Sequence, residues 1–235
     1  MISLATRHRA PELMDDPGLD PALHQQALVG LRRVHHISGT VSTLWNPIRR
    51  IAEQTPNKTL RILDVACGGG DLAISLARKA ARSGLSIEVS GCDISPTALD
   101  FASSNAASHK VNVNFFLADI IAAPLPGDYD VICCSLFLHH LEDTQVVKLL
   151  RSMKESARRM VLINDMVRSR RGYILCWLGL SLITRSPICH VDGLLSVRAA
   201  FTPAEMRNLA AQAELDNATL TCHWPQRFQL AWRRT

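Results

Sequence analysis

A chain of 235 residues with 47% hydrophobic and 20% charged residues can bury a substantial core, so disorder is excluded as the default state. The net charge of +5 is mild and its basic residues are scattered, so charge singles out no nucleic-acid partner and none is expected. Seven cysteines with no C-x-x-C spacing argue against a disulfide framework and a zinc site, and for a reduced, cytoplasmic setting.

Residues 1–56 read as a helical cap set apart from the rest. Asp20-Pro21 has the form of an N-cap followed by proline at the first helical position, and Leu23, Ala27, Leu28, Leu31 and Val34 recur at helical spacing. A second helix is expected over 38–51, interrupted near Pro47. From Leu60 short apolar strands alternate with helices: strands at 61–66, 87–92, 113–117, 129–136 and 160–165, helices at 71–83, 96–108 and 143–157. This alternation implies a parallel sheet covered on both faces.

After the fifth strand the alternation stalls. Residues 172–184 form an apolar helix, too short to span a bilayer, and an irregular segment runs on to Ala200. Thr202-Pro203-Ala204-Glu205 is a capped helix start, and strands at 218–224 and 227–232 close the chain as an antiparallel hairpin about Pro225-Gln226.

Leu63 to Asp71 carries most of the chemistry. A glycine-rich turn between strand and helix lets a ligand reach the backbone, and Asp93, ending the next strand, can accept hydrogen bonds from both hydroxyls of a ribose. Gly68-Gly69-Gly70-Asp71-Leu72-Ala73 also satisfies the dinucleotide fingerprint, which keeps a nicotinamide-dependent oxidoreductase in play. Against it stand Asp64, whose carboxylate would repel a pyrophosphate but can receive an ammonium, and the terminal antiparallel hairpin.

LDVACGGGD, then GCDIS, LADI and CCSLFLHHLED resemble the class I S-adenosylmethionine-dependent methyltransferases, closest to the branch of ubiquinone and menaquinone biosynthesis enzymes acting on small molecules. The resemblance covers about residues 60 to 165. It implies a Rossmann-like, seven-stranded, mostly parallel sheet with the last strand antiparallel, a methyltransferase domain over 57–235, and S-adenosyl-L-methionine as cofactor. One departure is Ala66, where the family pattern has its first glycine. By the same resemblance Asp64, Ala66, Cys67, Gly68 and Gly70 hold the methionine part. Asp93 and Ile94 take the ribose and one adenine face, Asp119 and Ile120 meet the adenine amino group, and Ser135 and Leu136 border the sulfonium.

Methyl transfer chiefly needs alignment, and a phenol or enol acceptor gains from a general base. His139 and His140 are the candidate catalytic residues, with at most one facing the acceptor. Arg168, Tyr173, Trp177 and Arg198 are candidate acceptor contacts, with 167–200 as a lid over the site. Arg33, His35 and His36, before Ser38-Gly39-Thr40, are expected to help close it. No metal is expected, because the adjacent His pairs lack the i, i+4 spacing of helical ligands. The expected activity is transfer of a methyl group to oxygen or carbon of a small, fairly apolar phenol, quinol or polyketide-like ring by a monomer or homodimer. Its rivals are a methyltransferase acting on RNA or protein and a non-catalytic methyltransferase-like binding protein. The amide-binding Asn/Asp-Pro-Pro-Tyr/Phe motif is absent after the fourth strand, where the chain reads Ser135-Leu136-Phe137-Leu138.

Overall fold

The computed structural model describes residues 3–16, 18–37 and 39–234. Five parallel strands, β1 (Leu60–Val65), β2 (Ile87–Asp93), β3 (Asn114–Leu117), β4 (Tyr129–Ser135) and β5 (Ala157–Met166), precede a hairpin of β6 (Thr219–His223) and β7 (Arg227–Arg233). The sheet order is β3-β2-β1-β4-β5-β7-β6, with β7 antiparallel to both of its neighbours. The helices are α1 (Pro21–Ile37), α2 (Thr40–Glu53), α3 (Asp71–Ser83), α4 (Pro96–Ser108), α5 (Asp143–Ser156), α6 (Arg170–Ile183), α7 (Pro187–Ala199) and α8 (Pro203–Gln212). Among the described residues no helix is long and apolar enough to cross a membrane.

Strand side chains alternate between two cores, as the pleat requires. Leu63, Val65, Ile132, Cys134, Val161 and Ile163 pack with residues of α5 and α8. Ile62, Val131, Cys133, Met160 and Leu162 pack with residues of α2 and α3 on the other face. Both faces are therefore dry, which is why the central strands read as unbroken apolar runs.

Two expectations are corrected. Helix α2 continues through Pro47 instead of breaking there. Proline removes the N–H that would reach the carbonyl four residues back, and the Gln229 Nε2 donates to that Thr43 carbonyl at 3.1 Å, so the helix loses no partner. The segment expected to be irregular contains α7, capped by Ser186, whose Oγ accepts from the Cys189 N–H, with Pro187 at the first turn. Helix α7 buries Ile188, Asp192, Ser196 and Val197 among α1, α6 and the N-terminal segment, so its sequence carries no single apolar stripe. The Asp20 cap of α1 and the Thr202–Glu205 capping box of α8 form as their sequences prescribe. Ser38 lies outside the described residues, as do the side chains of His35 and His36. Arg33 is exposed and reaches the Ile183 carbonyl at the end of α6.

Candidate active site

From Val65 the chain turns into α3 through three residues of positive φ, Ala66 (54°), Gly68 (50°) and Gly70 (76°). A β-carbon on Gly70 would lie 2.7 Å from the Phe115 ring and 2.9 Å from the Ala102 β-carbon, so only glycine fits. A β-carbon on Gly68 would meet nothing within 4 Å, so the backbone there faces open space. Asp93 ties this turn to β2: its Oδ2 accepts from the Gly68 N–H at 2.8 Å and its Oδ1 from the Ser95 N–H at 3.0 Å. Each carboxylate oxygen keeps a lone pair for a further donor. Beneath the turn Asp64 is buried, and its Oδ2 has no hydrogen-bond partner. Burial and, next, the charge of Asp93 hold its carboxyl well above the usual carboxylate range. Burial likewise pushes the Cys67 thiol up, with Asp64 and Asp93 adding to it. At the first residue of α3, burial lifts Asp71 to about 6 against the opposing Arg32 guanidinium and the Asn105 amide.

The turn opens into a cavity of about 1140 Å³. Ala66, Cys67, Gly68, Asp93, Ile94, Asp119, Ile120, Ser135 and Leu136 all line it. Asp64 and Gly70 do not, and shape the turn from behind. Asp119 also caps its own loop, accepting from Ile121 and Ala122 N–H through Oδ1. Gly69 of the turn and Asp71 at its end line the same wall, as do Ser95 and Thr97, which sequence reasoning passed over although the loop after β2 was the natural place to look. The opposite wall is apolar and comes largely from α6 and α7, with Leu175, Cys176, Gly179, Ile183 and Val197 among its residues.

His139 and His140 follow β4 on a single 3-10 turn, and both line the cavity. His139 is 3% exposed, and its Nδ1 lies 2.8 Å from Asp165 Oδ1 at the end of β5. Its own N–H reaches Asp165 Oδ2 at 3.3 Å. Burial would raise the Asp165 carboxyl, but the His139 ring, its hydrogen bond and the Met166 N–H prevail, and the net shift is downward. A carboxylate only accepts, so Nδ1 carries a proton at this contact, which leaves Nε2 as the ring nitrogen turned away from Asp165. Glu12, from the N-terminal segment, stands 3.8 Å from His139 Nε2 and 3.9 Å from His140 Nε2. One ligand atom each from Glu12, His139 and His140 lies within 4.8 Å of the others, a grouping that residue spacing in the sequence did not reveal.

None of the four expected acceptor contacts lines the cavity. Arg168 is buried in a bidentate pair with Glu205 and also donates to the Ala200 and Leu4 carbonyls, so its guanidinium clamps α8 to β5. Tyr173 and Trp177 sit on α6 away from its cavity face, with Trp177 54% exposed. Arg198 belongs to α7, its Nε buried without a partner behind the wall. The cation that does line the cavity is Arg227, on the first residue of β7, where a strand pattern alone marks no ligand contact.

Residues 62–159 match a family model described as a methyltransferase domain. A ubiquinone biosynthesis O-methyltransferase of Ralstonia nicotianae is 30% identical over 181 residues, covering 74% of this chain and 71% of that protein. The chain belongs to the S-adenosylmethionine-dependent methyltransferases. The namesake enzyme of Thiobacillus denitrificans is 29% identical over 180 residues, covering 75% of this methyltransferase and 74% of that one. Among solved structures, magnesium protoporphyrin IX methyltransferase from Synechocystis, crystallised with S-adenosylhomocysteine, shares the fold at a TM-score of 0.60 and 18% identity, covering 94% of this chain and 91% of that chain.

The residues of this methyltransferase fit its cofactor. The Gly68 backbone faces open space, as a ligand lying along the turn requires, and Asp64 Oδ2 is an orphaned buried oxygen beneath it. Three carboxyl groups, Asp64, Asp71 and Asp93, gather around the turn, a donor set suited to a ligand carrying both ribose hydroxyls and positive charge.

Proposed function

We propose that the enzyme methylates an oxygen or carbon of a small, fairly apolar acceptor, a phenol, quinol or polyketide-like ring. The observation that carries this reading is the His139–Asp165 pair opening into an apolar-walled cavity shared with the glycine turn. The names of the ubiquinone-biosynthesis relatives support it. We assign the methionine part to the turn from Ala66 to Gly70 with Asp64 behind it, the ribose to Asp93, and the adenine to Ile94, Asp119 and Ile120, with Ser135 and Leu136 beside the reacting centre. We read residues 1–56 and 167–200 as two covers that exclude water from it.

S-adenosylmethionine supplies a methyl group on a positively charged sulfur, ready for in-line displacement. The protein's part is to make and aim the nucleophile. His139 Nε2 accepts the proton of the acceptor hydroxyl as the oxygen attacks, while Asp165 holds the ring in the required tautomer and stabilises the cation that forms. His140, stacked at 4.3 Å between ring centroids, packs beside that base. The apolar wall of α6 and α7 fits the ring of the acceptor and keeps the oxyanion poorly hydrated.

The test is to incubate the protein with S-adenosylmethionine and a panel of phenols and quinols and to measure methylated product by mass spectrometry. No product from the panel, with methylation of a protein or RNA substrate, sinks this reading. The trio of Glu12, His139 and His140 favours a second one, in which these three residues would hold a divalent cation that would make the acceptor hydroxyl more acidic, its proton passing to solvent. Turnover that survives exhaustive dialysis against EDTA overturns that alternative.

A further inference from the structure

Arg227 is 4% exposed and lines the cavity, and its Nη1 is buried with no hydrogen-bond partner. Register places it opposite Met166 on β5, one residue from Asp165. That aspartate's charge favours the Arg227 cation, although the hydrogen bonds its oxygens accept come from His139 Nδ1, the His139 N–H and the Met166 N–H. The contrast with Arg168 on the same sheet edge is sharp: that guanidinium is equally buried, but Glu205 and two carbonyls satisfy it.

A buried guanidinium with an unanswered N–H is costly, and proteins keep one chiefly where something else completes it. Arg227 borders the cavity, and within the fold the charge that favours its cation is Asp165. Cys176, the polar neighbour on α6, offers only a thiol, which donates to the Gly193 carbonyl and which burial keeps protonated. No carboxylate of the described residues forms an ion pair with Arg227.

We propose that Arg227 is an oxyanion subsite, which selects acceptors bearing a carboxylate or ionised phenol oxygen in addition to the hydroxyl or ring carbon that is methylated. This rests on the acceptor-site reading above and narrows it to acidic, doubly oxygenated rings. The planar guanidinium fork suits such an oxygen, whereas a lysine ammonium in its place would offer a point charge without the fork. Methyl transfer itself is unchanged: the anion stays on Arg227 throughout, and the proton that leaves goes to His139.

The test uses protein saturated with S-adenosylhomocysteine and titrated calorimetrically with sodium salicylate and with phenol as probes. Salicylate is expected to bind at least tenfold more tightly than phenol. In Arg227→Met the preference is expected to vanish with S-adenosylhomocysteine affinity unchanged, and Arg227→Lys should keep part of it. Equal affinity of wild type for the two probes, or a preference that survives in the Met variant, overturns this inference and leaves the acceptor-site reading standing. Failure of both probes to bind the loaded protein takes both down.

Discussion

The two walls of the cavity are held by different kinds of contact. On the sheet side two carboxylates are fixed by backbone close to them in the fold: Asp93 accepts from Gly68 and Ser95, and Asp119 from Ile121 and Ala122. On the cover side the contacts join the two ends of the chain. Arg7 donates to the carbonyls of His139, Leu141 and Ala199 and lies over the Phe201 ring, while Asp192 accepts from the Leu13 and Met14 N–H groups. A site framed by local backbone geometry can be preformed before ligand arrives, whereas one closed by a terminal strap and two helices depends on tertiary docking. The wall of the glycine turn is thus held by local contacts, and the opposite wall by contacts between segments distant in sequence.

The largest expected effect breaks the chemistry where the halves meet. Asp165→Asn leaves the size of the side chain but presents an amide to His139, and the wrong tautomer follows. Turnover is expected to fall by about 10²- to 10⁴-fold, with binding of S-adenosylhomocysteine within twofold of wild type. His139→Gln should match it, and the double variant should be no worse than either single one. Additive losses in steady-state kinetics would show that the two residues do not act as one unit.

A smaller effect is expected on the sheet wall. Asp93→Ala removes the acceptor of two backbone N–H groups together with the proposed ribose contact, and should weaken S-adenosylhomocysteine binding by about tenfold or more, or ~1.4 kcal/mol. Isothermal calorimetry reads this directly. Unchanged affinity would mean that the turn holds its shape and its ligand without that carboxylate.

The same division explains what could be read from the sequence. The strands, the glycine turn and the antiparallel hairpin are encoded by neighbours along the chain, and Ala66 to Gly70, Asp93 and Asp119 fall at loop positions that a strand–helix alternation predicts. His139 and His140 were visible for the same reason, at the carboxyl end of β4. What escaped notice depends on residues far apart in sequence. Glu12 belongs to a segment with no periodicity, and Arg227 looks like any charged strand terminus until β5 and α6 bury it. Arg168, Tyr173 and Trp177 form a charge and two aromatics after a strand, a pattern that resembles an acceptor site; in the structure Arg168 pairs with Glu205, and α6 turns a face without Tyr173 and Trp177 toward the cavity.

The smallest expected effect concerns the stability of the cofactor wall. Asp71 is raised to about 6 in the folded protein, chiefly by burial. Below about pH 4 it is protonated in folded and unfolded chains alike and costs nothing. As pH rises toward 6 the unfolded chain ionises first, so the folded state loses stability across that window, and the penalty is complete above it. A shift of this size corresponds to roughly 3 kcal/mol at most. Asp71→Asn removes the penalty but also an acidic group from the first turn of α3, so the net gain at pH 7 should be about 1 kcal/mol, vanishing near pH 4. Thermal melts of the two proteins from pH 4 to 8 check this. If the two curves stay parallel across that range, Asp71 is solvated well enough to ionise freely, and the mouth of the turn is wetter than its burial implies.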